Sequence, residues 1–315
     1  MKRSTTISFT PQSPAIDHHS SSLFLGSCFA INMAEKFDFF SLPYTSNPFG
    51  VLFQPLAIES LVKRALDQQV FTEADLDQRD DIWFSFNAHT SLSGVDKQTV
   101  LDGSNSALSD LRFALLDAKH IIITLGTAWA YKHLERNQFV ANCHKQPGGV
   151  FNKELLSIQN IERSLSHIYE LIHDQNPEVN VLFTVSPVRH IKDGIVENSR
   201  SKAHLLAAVH QVVDENEQAH YFPAYELLMD ELRDYRYYGS DLIHPDAQAI
   251  FHVWECFKTA WVARESQELM ETIGGLKAAM NHRSQIPGSN ADRDFKRKLQ
   301  ERLEAFRAKH PHISI

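Results

Sequence analysis

The chain has 315 residues, 43% hydrophobic and 22% charged, a balance that supports a buried core and argues against a disordered or fibrous protein. Its formal charge of -8 weighs against nucleic acid as the main partner, because phosphate binding needs a basic stripe. Cys28, Cys143 and Cys256 are odd in number and never paired as C-x-x-C, so neither a disulfide framework nor a zinc site is indicated, and a reducing, cytoplasmic compartment is expected.

No stretch approaches the roughly 18 apolar residues of a membrane span, so no membrane partner is expected. Leu25-Gly26-Ser27-Cys28 has the outline of a lipoprotein cleavage box. However, Asp17, His18, His19 and the serines at 20, 21 and 22 stand where a leader needs an apolar core of about 7 to 15 residues, so export is not expected.

Along the chain, short apolar runs alternate with longer helical patterns, the signature of βαβ units around a parallel sheet. Residues 22–25 read as a first strand broken at Gly26. Residues 29–37 have helical spacing, with Phe29, Met33 and Phe37 on one face. A second strand is expected over 39–44, before a turn at Asn47-Pro48-Phe49-Gly50, and an amphipathic helix over 56–66. Residues 67–106 read as an irregular polar insertion. The β-branched run at 120–125, bounded by Gly126, suits a strand buried on both faces, and 179–185 is another, stopped at Ser186-Pro187. Residues 161–172 and 202–213 supply flanking helices, 220–222 a last strand and 247–263 a closing helix. The pattern weakens beyond Gly274-Gly275. Residues 285–292 read as a linker, and Phe295, Leu299, Leu303 and Phe306 form one stripe on a last helix. There is no internal repeat. The expected organisation is one catalytic domain over 1–275, with its insertion at about 67–106, and a linker and helix over 276–315.

In an open parallel sheet, ligands collect at the carboxyl ends of the strands. Ser27 lies between the first strand and the first helix, a position expected to expose its hydroxyl near helix N-terminal N–H groups, as acyl transfer requires. The alternative is a serine that merely caps the helix. Near the other end, Asp241-Leu242-Ile243-His244-Pro245 lets one loop deliver a histidine base and the carboxylate that fixes its tautomer. Alternatively, an Asp caps the closing helix and His244 is packing. Arg189 and His190 follow a buried strand, so they are expected to face the ligand, holding a carboxylate or hydroxyls; a pairing of Arg189 with Asp193 is the competing reading. Asn142 lies with Cys143 and His144 in a loop expected to cover the pocket. Cys28, at a helix start where thiolates are stabilised, competes with Ser27 as nucleophile.

Gly26-Ser27-Cys28-Phe29-Ala30 resembles the eponymous motif of the GSCFA domain family, a relative of the SGNH/GDSL esterases. Leu125-Gly126-Thr127-Ala128-Trp129, Ser186-Pro187-Val188-Arg189-His190 and the Asp241-to-Pro245 stretch are similar to further family blocks, in the family's order, over roughly residues 20 to 260. The resemblance implies a flavodoxin-like three-layer α/β/α sandwich with a mostly parallel sheet, a serine nucleophile at Ser27 and an Asp/His pair at Asp241 and His244. SGNH enzymes carry an oxyanion-binding Asn in their third block, whereas Ala128 stands at that position here. Losing one such donor typically costs about 10²–10³ in rate, so Thr127, Asn47 and a backbone N–H at Gly50 are candidate replacements.

The expectation is therefore a metal-independent serine ester hydrolase, without cofactor, acting on a small-molecule or carbohydrate ester and favoured as a monomer. The competing readings are a non-catalytic glycan- or peptide-binding module on a decayed esterase scaffold, and an O-acyltransferase using the same three residues.

Overall fold

The computed structural model describes residues 5–315. Five strands form one parallel sheet: β1 (Ser22–Gly26), β2 (Tyr44–Ser46), β5 (His120–Leu125), β9 (Asn180–Val185) and β10 (Ala219–Tyr221). The spatial order is β10-β9-β5-β1-β2, the flavodoxin-like order in which the chain reverses direction of travel between β1 and β5. Strands β1, β5 and β9 are buried along their whole length, which is why they read as continuous apolar runs.

Alternation along these strands divides the core into two layers. Leu23, Ile121, Ile123, Val181 and Phe183 pack on one face against α2 (Pro55–Leu66), α3 (Lys97–Asp117), α4 (Ile158–Gln175) and α5 (Ile195–Glu215). Phe24, Ile122 and Leu182 pack on the other against α1 (Cys28–Phe39) and α7 (Ala247–Trp261), through Phe29, Phe37, Trp254 and Phe257. The chain is a three-layer α/β/α sandwich. A short helix, α6 (Ala224–Glu226), continues into a π-helical turn at Leu227–Glu231 between β10 and α7.

Several elements differ from expectation. The aromatic run after Phe37 ends α1 instead of starting a strand, and β2 begins only at Tyr44. Within 67–106 lie a hairpin of β3 (Asp77–Arg79) and β4 (Ile82–Phe84) and the start of α3, which Asp96 caps by accepting from Thr99 N at 2.7 Å. A second sheet, unforeseen, follows β5: antiparallel β6 (Trp129–His133), β7 (Gln138–Val140) and β8 (Phe151–Leu155). Helix α8 (Arg264–Met280) runs through Gly274-Gly275, held by Ile273 and Leu276 on its buried face. Helix α9 (Asn290–Lys309) packs Leu303 and Phe306 against those residues, while Phe295 at the head of its stripe is exposed. No helix among the described residues is long and apolar enough to cross a membrane.

Candidate active site

The site is built at the carboxyl edge of the sheet, where β1 and β5 part. Gly26 closes β1 at φ +121°, and a Cβ there would lie 2.1 Å from Thr124 O, so only glycine fits this turn. Ser27 follows as N-cap of α1, its Oγ accepting from Phe29 N at 3.4 Å. Its own N–H donates to Thr124 O at 2.9 Å and is therefore not free as an oxyanion donor.

The expected exposure of the Ser27 hydroxyl is not observed: the residue is 0% exposed. The segment between β2 and α2 is hydrogen-bonded across the end of β1 beside it. Asn47 Oδ1 accepts from Gly26 N at 2.8 Å, Leu52 N donates to Gly26 O at 2.9 Å, and Phe53 O accepts from Gly126 N and Thr127 N at 2.8 and 2.9 Å.

The Asp241-to-Pro245 loop is organised by its own carboxylate. Asp241 Oδ1 accepts from Ile243 N at 2.9 Å and His244 N at 3.1 Å, while His244 Nδ1 meets Asp241 Oδ2 at 2.7 Å. The hydrogen bond from His244, then those from the two backbone N–H groups, hold the Asp241 carboxyl down at about 2. It is thus ionised near neutrality and can only accept, so Nδ1 is the donor in this contact. Both side chains are about half exposed, at 54% and 46%. Arg189 N donates to Ile243 O at 3.2 Å, tying this loop to the segment after β9. Among the described residues no hydrogen bond joins Ser27 Oγ to His244.

The three oxyanion candidates stand differently. Gly50 N–H is spent on Asn47 O at 2.7 Å. Thr127 Oγ1 lies 3.0 Å from Ser201 Oγ and accepts from Trp129 N at 3.1 Å, and the same Ser201 Oγ accepts from Ala128 N. Asn47 keeps a buried Nδ2 with no protein partner. Gln54 was missed by sequence reasoning: it is 4% exposed, caps α2 before Pro55, and neither its amide nitrogen nor its oxygen has a protein partner. The signal for it is three-dimensional, since it depends on Phe53 bridging to Gly126 and Thr127.

Gln54, Thr127, Asn142, Arg189 and His190 line one cavity of about 570 Å³. Asn142 Oδ1 accepts from His144 N at 2.8 Å. His190 packs edge-on to Phe53, and burial, followed by the nearby Lys202, His244 and Lys153, lowers its pKa to about 4. Lys202 is fully buried behind the strand ends, donating to Gly126 O and Ser186 O at 2.6 Å each; burial lowers it to about 7. Burial raises the Cys28 thiol, against the smaller opposing pull of backbone N–H groups and Lys202, so it is not primed as a thiolate. Arg189 is not paired with Asp193; Lys153 takes that carboxylate.

The sheet order and the strand-edge site define a flavodoxin-like α/β/α protein. The chain belongs to the GSCFA family, whose model matches residues 21–257. A further model, described as the GSCFA domain protein C-terminal domain, matches residues 273–315, so the family likeness extends over the tail that the motifs alone left out. No curated protein matches the sequence. Among solved structures, the chain is similar to a family 3 carbohydrate esterase of Clostridium thermocellum, at 8% identity and TM-score 0.35, over 81% of this chain and 99% of that one. It is also similar to an acetyl xylan esterase, Est2A, of the rumen bacterium Butyrivibrio proteoclasticus, at 10% identity and TM-score 0.40, over 84% of this chain and 65% of that one. A carbohydrate esterase family 2 enzyme of Corynascus thermopiles (Myceliophthora fergusii) shows 12% identity and TM-score 0.40, over 84% and 69%.

Proposed function

We propose that the chain is a serine ester hydrolase in which Ser27 is the nucleophile, His244 the base and Asp241 the group that orients it. The observation that carries this reading is the 2.7 Å Asp241–His244 contact, held on a loop tied to the β9 end of the same sheet edge at which Ser27 caps α1. In the reaction, Ser27 Oγ bonds to the acyl carbon as His244 Nε2 takes its proton. Collapse of the tetrahedral intermediate breaks the ester C–O bond, and the departing alcohol receives that proton. Water then repeats the sequence on the acyl-enzyme, while a second alcohol in its place would make the chain an acyltransferase. Asn47 Nδ2 and Gln54 Nε2 are the amide donors that would stand in for the third-block Asn at the oxyanion. Because Ser27 is buried, substrate entry requires the groups that cover it to part. Neither metal nor cofactor is needed for these steps, and the substrate is a small-molecule or carbohydrate ester.

A second reading, a binding module on a decayed scaffold, is favoured by the burial of Ser27 and by Ala128 at the third-block position. Kinetics separates the two. With 4-nitrophenyl acetate, Ser27→Ala and His244→Ala should each lower kcat by at least about 10³ at retained fold. Equal turnover by folded variants would remove both residues from the chemistry.

A further inference from the structure

The cavity beside the Asp241–His244 loop has an uneven charge. Arg189, Lys192 and Lys153 line it against a single carboxylate, Asp193, and Lys153 already holds that carboxylate. Arg189 meets no carboxylate among the described residues. Its Nη1 donates to Leu242 O at 3.2 Å, and its guanidinium carbon stands 4.0 Å from the centre of the Tyr238 ring and 5.1 Å from that of Tyr235. The tyrosines and the carbonyl fix its orientation, while Nε is buried with no protein partner. A planar cation held in place without a counter-ion matches a carboxylate, which a guanidinium binds through parallel N–H donors.

Two further groups point the same way. Gln54 has no protein partner for either atom of its nearly inaccessible amide, and the Trp129 indole N–H, on the same cavity, has none either. Oxygen acceptors on a ligand would satisfy the two donors among these groups, Gln54 Nε2 and Trp129 Nε1. In a chain of net charge -8, a cavity lined by three cations and one anion departs from the whole-molecule balance in the direction that attracts an anion.

We propose that this cavity binds the carboxylate of an acidic ester, with Arg189 as its partner. As a statement about a substrate, this rests on the esterase reading; as a statement about binding, it does not. Because Arg189 N is bonded to Ile243 O, an anion held there is anchored to the loop that carries His244.

The test compares 3-acetoxybenzoate with its neutral analogue 3-acetoxybenzamide, as ligands of the Ser27→Ala protein by titration calorimetry and as substrates of the unaltered protein. The carboxylate should bind at least about ten-fold more tightly than the amide. That preference should fall below about two-fold in Arg189→Gln and survive in part in Arg189→Lys, with thermal melts reporting the fold of each variant. Absence of a preference, including absence of binding by either compound, overturns the proposal, as does a preference undiminished in folded Arg189→Gln. Arg189-dependent binding with no hydrolysis of either compound leaves the anion site standing and removes the esterase. Hydrolysis of both without preference does the reverse.

Discussion

Single residues here carry definite pH signatures. His190 has its folded pKa lowered from 6.5 to about 4, chiefly by burial. Between those values the unfolded chain binds the additional proton, so the stability this group contributes is full above about pH 6.5 and is lost progressively as pH falls toward 4. Lowering the pH from 7 to 5 should cost roughly 1–2 kcal/mol through this group alone. His190→Gln should therefore show a shallower fall in melting temperature over that range than the unaltered chain; identical slopes would contradict the assignment. Asp241, held at about 2, keeps its charge throughout. The Asp241–His244 contact and the place of Ser27 between β1 and α1 were legible in the sequence, because each lies in a short local motif beside an element boundary. Gln54 was not, since what isolates its amide is a pair of long-range hydrogen bonds made by Phe53. The freedom of Arg189 was equally hidden, because it depends on Lys153 arriving from β8 to occupy Asp193.

At the level of elements, β5 and β9 were readable because both faces are buried and each carries a run of three apolar residues, Ile121–Ile123 and Val181–Phe183. The antiparallel β6–β8 sheet was not readable. Lys132, His133, Asn152, Lys153 and Glu154 lie within it, and its stability comes from cross-strand pairing rather than from an apolar run. Helix α3 hid its first turns behind polar residues and Gly103. The tail was legible as a stripe, and its packing can be tested. Leu303, Phe306 and Ile313 share a small cluster with Ile273 and Leu276 of α8, while Ser41 Oγ donates to Ser314 O at 2.8 Å. Truncation after Ile286 should therefore lower the melting temperature and leave the oligomeric state unchanged, because it strips the cover from α8 without touching the sheet. Light scattering that shows a changed number of chains per particle would instead make α9 a subunit contact.

For the whole molecule, the parallel order β10-β9-β5-β1-β2 is what gathers chemistry from distant parts of the sequence. The chain leaves β1 toward one side of the sheet and β5 toward the other, and the crevice between them receives Ser27, the segment from Asn47 to Gln54, and Gly126 with Thr127. Alternation of apolar and helical runs made the α/β class legible, and the motif blocks supplied the family. Neither reports how loops close over the strand ends, and there the structure departs most from expectation: Ser27 is capped and covered, with His244 beside solvent. The central claim is that this covered serine is nonetheless a nucleophile activated by His244. Exposure to a fluorophosphonate probe at neutral pH, followed by intact mass and peptide mapping, tests it most directly. The account predicts one adduct per chain on Ser27, absent in Ser27→Ala and formed much more slowly in His244→Ala. A folded chain that acquires no adduct at Ser27, or acquires it at the same rate without His244, would contradict it.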